Sequence, residues 1–306
     1  MKMLEEEIIS KWKDIENPLV SICCITYNHE NYIDLALKSF LMQETDFAFE
    51  ILIHDDASTD NTVSIIKKYE EKYPNIIKPI YQNTNQYSKG IRINPVFNFK
   101  RSVGKYIAIC EGDDYWIDPR KLSIQVELMN RYGQVQISFH KALEESKKGK
   151  KYICDNKKTK IFSLEDVMLG DGSFMPTASI IFLRECIDNF PKWFYTKAPV
   201  ADYFIQVFCS KNKGALYINR CMSVYRVGHN VSWTESNKDF YKQLKLKLNI
   251  NKCLKFLIKE WSKEYKKNII LAIRKHKRDM FKLIIVASLR KLKLYDFLKI
   301  FKINKI

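Results

Sequence analysis

Several features that would identify a class of protein are missing from the sequence. The 306-residue chain has eight cysteines, but no pair has the Cys-x-x-Cys spacing of zinc or redox sites. No apolar run approaches the roughly 18 uninterrupted residues that a membrane span needs. The chain has nine glycines, and no glycine-rich phosphate loop follows its first apolar run. These absences argue against a zinc module, a membrane-spanning protein and a nucleotidyltransferase.

The scattered cysteines and the first residues of the chain give an expectation about location. Cys23 and Cys24 lie within an apolar run, where a free thiol acts as a small hydrophobic side chain. Buried, reduced cysteines are typical of cytoplasmic proteins. Residues 1–7 are acidic, whereas a signal peptide starts with basic and then apolar residues. We therefore expect a cytoplasmic protein, or one bound peripherally at the inner face of the cell membrane.

Excess positive charge is absent from most of the chain. The formal net charge is +17, but residues 238–306 contain 21 Lys and Arg against 5 Asp and Glu. The first 237 residues are nearly neutral, which argues against a basic groove for nucleic acid. We expect a body of residues 1–237 and a tail of basic amphipathic helices at 238–306. Such helices either bind an anionic membrane surface or pack on the body or on a partner subunit.

Strand-like and helix-like segments alternate along the first part of the chain. The predicted strands are residues 19–25, 49–54, 76–82 and 106–110, and the helices between them are residues 32–43, 62–73 and 95–103. The first strand is a continuous apolar run, as in a parallel sheet that is covered on both faces. This alternation predicts βαβ units in an α/β fold with a mostly parallel central sheet flanked by helices.

The second part of the chain has a weaker pattern. Residues 139–160 are polar and rich in lysine, so we expect a surface excursion there. Ser163 and Asp166 predict the start of a helix, and residues 200–209 predict another. Further strands are predicted at the following positions: residues 178–183, 215–219 and 221–226.

Acidic residues follow two of the predicted strands. Asp55 and Asp56 end the second strand, and Asp113 and Asp114 follow the fourth. Ligands of parallel sheets bind beyond the carboxyl ends of the strands, so we expect both clusters at one sheet edge. Mg²⁺ and Mn²⁺ take oxygen ligands and usually only one or two protein carboxylates. Glu111 and Asp113 would supply that number.

Four segments together carry a family resemblance. They read VSICCITYN at residues 20–28, EILIHDDASTDNT at 50–62, GKYIA at 104–108 and EGDDYW at 111–116. In this combination they resemble the family 2 glycosyltransferases of the GT-A fold, of the type that builds bacterial surface polysaccharides. Lys121, Leu122 and Gln125 continue the match. The resemblance covers residues 19–130 and extends more loosely to about residue 235.

The resemblance implies an activity and an arrangement of domains. It implies an inverting glycosyltransferase of the hexosyltransferase class that uses Mn²⁺ or Mg²⁺. The donor would be a nucleotide-sugar, specifically a UDP-sugar, and the acceptor a glycan or lipid-linked glycan. Residues 19–130 would bind the donor and residues 131–237 the acceptor. The alternative is a nucleotide-sugar-binding protein or a nucleotidyltransferase with the same sheet architecture.

The resemblance also assigns roles on the donor side. Asp113 would be the leading metal ligand, and Glu111 would contact the ribose or a metal-bound water, or the metal itself. Asp114 would reach the sugar hydroxyls or assist with the metal. Asp55 would accept a hydrogen bond from the uracil imide. All donor-binding candidates are Thr26, Tyr27, Asn28, Asp55, Asp56, Glu111, Asp113 and Asp114.

Some positions depart from the family pattern or keep a structural alternative. Asp56 and Ser58 also fit as turn and cap residues that hold the loop. Ala57 stands where the family usually has glycine, which puts the local turn geometry in question. Residues 94–98 replace the family's Ala-Arg-Asn run, so no role is assigned to the arginines nearby.

The acceptor side needs a base, because the attacking hydroxyl must lose its proton. Residues 199–204 resemble the family's base-bearing segment, and Asp202 is our candidate for the catalytic base. An acid in the first turn could instead simply favour the helix dipole. Asp171 is the second candidate for the base. His229 lies in a segment resembling the one that closes many family domains, and is a candidate metal ligand; Arg226 in that segment fits better as an ion-pair partner than as a phosphate ligand.

Overall fold

Two compact units make up the chain, with the boundary between residues 232 and 233. The computed structural model describes residues 4–170, 174–228 and 239–289. The predicted site residues Asp171 and His229 lie outside these ranges, so their predicted roles stay predictions.

A ten-stranded sheet occupies the first unit. Its strands in chain order are β1 (Val20–Thr26), β2 (Phe49–Asp55), β3 (Ile77–Tyr81), β4 (Tyr106–Ile109), β5 (Tyr115–Trp116), β6 (Ile137–Ser146), β7 (Gly149–Ile153), β8 (Lys160–Phe162), β9 (Ile181–Leu183) and β10 (Ala215–Arg226). Their spatial order is β3-β2-β1-β4-β9-β6-β10-β5, with β7 paired to β6 and β8 to β10.

Strand direction differs between the two halves of the sheet. The pairs β2–β3, β1–β2 and β1–β4 are parallel, as predicted from the alternating pattern. The pairs β4–β9, β6–β9, β6–β7, β5–β10 and β8–β10 are antiparallel, and β6–β10 is parallel. The predicted α/β class is confirmed, with a parallel half that holds the donor-side motifs and a mixed second half.

Helices and short turns connect the strands. The α-helices are α1 (Glu5–Ile9), α2 (Ile33–Leu41), α3 (Thr62–Lys72), α4 (Phe99–Arg101), α5 (Lys121–Tyr132), α6 (Leu164–Gly170), α7 (Lys192–Lys197), α8 (Ala201–Cys209), α9 (Phe240–Glu260) and α10 (Lys266–Leu289). A π-helical turn at Asn94–Asn98 precedes α4, and 3₁₀ turns occupy Tyr87–Lys89, Thr177–Ser179, Arg184–Asn189 and Lys263–Tyr265.

The core of the first unit lies along β1, β2 and β4. All seven residues of β2 and all four of β4 are buried, as in strands of a parallel sheet that is covered on both faces. Helices α2, α3 and α5 contribute Ile33, Ile66 and Leu122 to the same core. All eight cysteines are free and six are buried, as expected for thiols within apolar runs.

The lysine-rich segment at residues 139–160 lies largely at the surface, as predicted, but it forms a regular hairpin. β6 and β7 form an antiparallel hairpin across most of it. Lys150 faces Glu145 across the strands with a nitrogen–oxygen distance of 2.7 Å, and Lys151 faces Glu144 at 2.9 Å. Lys150 and Lys151 therefore form cross-strand ion pairs at the edge of the sheet, a pattern that local polarity alone does not reveal.

Other boundaries agree with the prediction or differ slightly. Ser163 and Asp166 form the predicted helix start, since the amide of each residue donates to the other's side chain. The helix predicted at residues 200–209 is α8. The strand predicted at 178–183 is confined to β9, because a 3₁₀ turn precedes it. The two strands predicted at 215–226 are one strand, β10, with an irregular register between Ile218 and Ser223.

The second unit is helical in its described part. α9 and α10 are joined by a short connection that contains the Lys263–Tyr265 turn. The side chain of Asp239 caps α9 by accepting a hydrogen bond from the amide of Lys242 at 3.0 Å. The helical extension predicted from the sequence is thus confirmed. None of the helices in the described ranges is long and apolar enough to cross a membrane.

Candidate active site

The two acidic clusters lie at one edge of the sheet. Thr26 and Asp55 are register partners at the carboxyl ends of β1 and β2. The amide of Asp56 donates to the carbonyl of Thr26 at 2.9 Å, and the amide of Gly112 donates to the carbonyl of Ile25 at 2.9 Å. The loops after β1, β2 and β4 therefore meet, as the parallel pattern predicted.

Asn28 fastens the loop after β1 to the loop after β2. Its amide donates to Ser58 Oγ at 2.9 Å, and its Oδ1 accepts from the amide of Thr59 at 2.8 Å. Asn28 has a φ of 54°, a left-handed conformation that asparagine tolerates better than most residues. Tyr27 beside it is 37% exposed, whereas Thr26 is buried. In this loop, Tyr27 is exposed to solvent, and Asn28 is held in place by its hydrogen bonds to the loop after β2.

Asp55 shapes the loop that follows β2, and Asp56 anchors the loop that follows β3. The Asp55 carboxylate accepts from the amide and the hydroxyl of Ser58, at 2.9 and 2.5 Å. Burial raises the pKa of Asp55 above its usual range. Asp56 accepts from the amides of Gln86 and Tyr87 at 2.7 and 2.9 Å. The turn-forming alternative for Asp56 and Ser58 is therefore supported, and contacts of Asp55 and Asp56 to a donor stay predictions.

The segment Glu111–Asp114, which we call the acidic turn, is pressed against the loop after β1. A Cβ atom at Gly112 would lie 3.0 Å from each of three atoms: Thr26 Cβ, His29 Nδ1 and Ile33 Cδ1. Only glycine fits this approach without a shift of its neighbours. His29 Nε2 is 4.0 Å from Asp113 Oδ2, and both side chains are buried.

Negative charge is concentrated around the acidic turn. Burial raises the pKa of Glu111 well above its usual range, and the charges of Asp113 and Asp202 add to this effect. Burial, followed by the charge of Asp113, also raises the pKa of Asp114. The structure thus brings Glu111, Asp113 and Asp114 within electrostatic range of one another. It also brings Asp202, about 90 residues away in the sequence, within range of Glu111.

Asp202 lies in the first turn of α8, as predicted, and is half-buried. Burial raises the pKa of its carboxyl group, an effect opposed by the Thr177 hydroxyl, which donates to Asp202 Oδ2 at 2.9 Å. A carboxylate with a raised pKa and a fixed orientation is suited to accept a proton.

Arg226 at the end of β10 braces the acidic turn. Its amide donates to Asp114 Oδ1 at 2.9 Å, and its guanidinium donates to the carbonyl of Asp113 at 2.8 Å. The guanidinium also lies 4.3 Å from the centre of the Tyr115 ring and pairs with Glu145 at 3.5 Å. The interpretation of Arg226 as an ion-pair partner is confirmed.

The carboxylates of the acidic turn fit a hard divalent cation that takes few ligands from the protein. Within residues 4–170, 174–228 and 239–289, no group of three or more His, Cys, Asp or Glu side chains is arranged to hold a metal ion. Mg²⁺ or Mn²⁺ needs only one or two carboxylates when phosphate oxygens and water complete its shell. Glu111 and Asp113 offer such oxygens in a region of crowded negative charge, which a cation would stabilise.

Two residues of the site were missed in the sequence. His29 lies in the loop after β1, so its position near the carboxyl end of a strand was an available signal. Thr177, which orients Asp202, lies 25 residues away from it and carries no local signal.

Comparison with known proteins gives partial matches to curated relatives. The chain is 45% identical over 121 residues to an uncharacterized protein of Mycobacterium tuberculosis, covering 40% of this chain and 34% of the relative. It is 32% identical over 188 residues to an uncharacterized glycosyltransferase of Nostoc sp., covering 57% and 55%. It is 38% identical over 111 residues to the Escherichia coli protein WfaP, covering 36% and 41%. The chain thus spans about a third to just over half the length of these relatives.

WfaP is named UDP-Glc:alpha-D-GlcNAc-diphosphoundecaprenol beta-1,3-glucosyltransferase. Among solved structures, Staphylococcus aureus TarS residues 1–349 with UDP-GlcNAc matches with a TM-score of 0.55 and 17% identity, covering 84% of this chain and 80% of that chain. The Pyrobaculum calidifontis mannosyltransferase PcManGT with GDP-Man and Mn²⁺ matches with a TM-score of 0.56 and 14% identity, covering 93% and 79%. These likenesses confirm the expected GT-A fold.

The family assignment rests on a match over the first unit. Residues 21–189, more than half of the chain, match the model of glycosyl transferase family 2. The match includes the loops after β1 and β2 and the acidic turn. The chain belongs to glycosyl transferase family 2.

Proposed function

We propose that the chain is an inverting, metal-dependent glycosyltransferase that moves a sugar from a UDP-sugar to a glycan or lipid-linked glycan in surface polysaccharide synthesis. The observation that carries this proposal is the convergence of Asp202 with the acidic turn at the sheet edge that also holds Asp55. The site thus combines carboxylates for a nucleoside-diphosphate donor with a separate carboxylate for the acceptor.

The nucleoside would lie over the loops after β1 and β2. Asp55 would accept a hydrogen bond from the uracil imide, since a carboxylate oxygen that already accepts one hydrogen bond retains a further lone pair. Thr26, Tyr27 and Asn28 would line the same pocket. The UDP-GlcNAc complex of TarS and the UDP-Glc named for WfaP support a UDP-sugar as the donor.

Glu111 and Asp113 would hold the divalent cation, which would supply positive charge against the negative charge that develops on the leaving diphosphate. His29 and Arg226 keep the acidic turn in place, the first from the loop after β1 and the second from β10. Asp114 would face the sugar hydroxyls with the oxygen that does not accept from Arg226.

Asp202 would act as the base. As the acceptor oxygen forms its bond to the anomeric carbon, its proton would pass to the Asp202 carboxylate, and the bond from the anomeric carbon to the diphosphate oxygen would break. The reacting carbon would resemble an oxocarbenium ion in the transition state. Attack opposite to the leaving group inverts the anomeric configuration. Thr177 fixes the carboxylate through its hydrogen bond.

Turnover of a panel of nucleotide-sugars in the presence of Mn²⁺ tests the proposal. The wild type should hydrolyse or transfer at least one UDP-sugar, and the Asp113→Asn and Asp202→Asn variants should lose at least about 100-fold in rate. Asp188→Asn is the matched control, because Asp188 is an exposed acid outside the site. Normal turnover by Asp202→Asn contradicts the assigned base. Donor binding without turnover by the wild type favours the nucleotide-sugar-binding alternative.

A further inference from the structure

One face of α10 exposes basic and apolar side chains together. Residues four apart on a helix lie on the same face, and two adjacent rows on α10 follow this spacing. All six members are exposed: Lys277, Phe281 and Ile285 in one row, and Arg274, Arg278 and Lys282 in the other. Phe281 is 63% exposed and Ile285 42% exposed. We call these six residues the basic face.

Lysines of α9 extend the basic face. A groove between α9 and α10 is lined by Lys252, Lys255 and Lys277, with Leu248 and Met280 among its apolar lining. Lys252 and Lys255 are exposed like Lys277. The exposed lysines of the two helices therefore lie side by side around an apolar groove.

The described part of the second unit is strongly basic. Residues 239–289 contain 14 Lys and Arg against 4 Asp and Glu. Asp279, the single acid in the α10 sequence, pairs with Lys275 at 3.0 Å and is not part of the basic face. Basic side chains that surround an exposed phenylalanine and isoleucine complement an anionic surface with an apolar layer beneath it.

We propose that the basic face docks on a bilayer that contains anionic phospholipid. Arg274, Lys277, Arg278 and Lys282 would contact lipid phosphates, and Phe281 and Ile285 would enter the interfacial layer. A soluble polyanion would use the positive charge but leave Phe281 and Ile285 without a role. This inference concerns the second unit alone and does not depend on the sugar-transfer activity.

Flotation of the full chain with vesicles tests the charged part of the proposal. We expect binding to phosphatidylglycerol vesicles, weakened by salt, and little binding to phosphatidylcholine vesicles. The triple variant Lys277→Gln, Arg278→Gln, Lys282→Gln should lower the partition coefficient about 100-fold. The matched control is Lys147→Gln, Lys148→Gln, Lys158→Gln, which removes the same charge from exposed positions of the first unit and should bind as the wild type does.

The apolar part needs a variant with unchanged charge. Phe281→Ser with Ile285→Ser should lower binding at least about tenfold while the helical circular dichroism stays that of the wild type, because both side chains are exposed. Three results overturn the proposal: no binding of the wild type to phosphatidylglycerol vesicles, equal losses in the two charge triples, or wild-type binding by the doubly serine-substituted protein.

Discussion

Ala57 has a backbone conformation that residues with a Cβ atom rarely adopt. Its φ is 65°, in the turn where Ser58 hydrogen-bonds to Asp55. A left-handed conformation costs a residue other than glycine about 1–2 kcal/mol. The alanine at this family glycine position therefore keeps the turn but stores strain in it.

Replacement of Ala57 by glycine should relieve that strain. We expect Ala57→Gly to raise the free energy of unfolding by about 1 kcal/mol, since the relief exceeds the added entropy of the unfolded chain. Urea-induced unfolding of the wild type and the variant measures this change in the free energy of unfolding. The control is Ala36→Gly within α2, which should destabilise the protein. Equal destabilisation by both substitutions would contradict the strain at Ala57.

Lys121 is a second residue with an unusual environment. It is fully buried at the start of α5, and its Nζ lies 4.2 Å from the centre of the Trp116 ring. Nζ has no hydrogen-bond partner within the described part of the chain. Burial lowers the pKa of Lys121 to about 7. The folded protein thus binds this proton more weakly than the unfolded chain does.

That difference gives a pH dependence of stability with a definite sign. Burial of the charged Lys121 lowers the free energy of unfolding. This loss of stability has its full value below pH 7, becomes smaller as the pH rises from 7 towards the usual lysine pKa, and vanishes above that pKa. Lys121→Met should therefore stabilise the protein by roughly 3 kcal/mol at pH 7 and by much less near pH 10. Urea unfolding of both proteins at the two pH values checks this. A stability gain of Lys121→Met that is the same at both pH values would contradict the explanation through the buried charge of Lys121.

At the scale of elements, the acidic turn is placed by contacts from β1 with the loop after it and from β10. Gly112 allows it to approach the loop after β1, Arg226 holds it from β10, and the amide of Gly112 bonds to β1. The site therefore depends on how closely β4 and β1 bring their loops together, as well as on its acidic side chains.

A methyl group at Gly112 should displace the turn. We expect Gly112→Ala to lower kcat/KM at least about tenfold at a temperature where the variant is fully folded, because the added Cβ must push the acidic turn away from the loop after β1 and a catalytic site is sensitive to such a displacement. The control is Gly133→Ala, where nothing lies within 4 Å of the added Cβ but the φ of 45° favours glycine. Both variants should unfold at lower temperature, but only Gly112→Ala should lose activity in the folded state. Wild-type kcat/KM in Gly112→Ala would count against this account.

The elements also show what the sequence could predict. The parallel strands and the shared edge of Asp55 and Asp113 follow from apolar runs that end in acids. The β6–β7 hairpin could not be found in this way, because its lysines are paired only across the strands. Thr177 and Arg226 act on residues 25 and more than 100 positions away, and such contacts leave no periodic signal.

At the scale of the whole molecule, charge and chemistry lie in different units. The acids of the proposed transferase site lie in residues 1–232, and the excess of lysine and arginine lies in residues 233–306. The net charge of +17 therefore describes an appended helical unit and not the site. In our account, the first unit binds the nucleotide-sugar and the second contacts an anionic surface.

The central claim is that the acidic turn binds the diphosphate of a donor through a divalent cation, while Asp202 serves the acceptor. Calorimetric titration of UDP with and without Mn²⁺ tests it most directly, because binding requires no acceptor. The wild type and Asp202→Asn should bind UDP more tightly with Mn²⁺ than without it. In Asp113→Asn, the factor by which Mn²⁺ raises the affinity for UDP should be at least about tenfold smaller. Undiminished Mn²⁺-dependent affinity in Asp113→Asn would contradict the account.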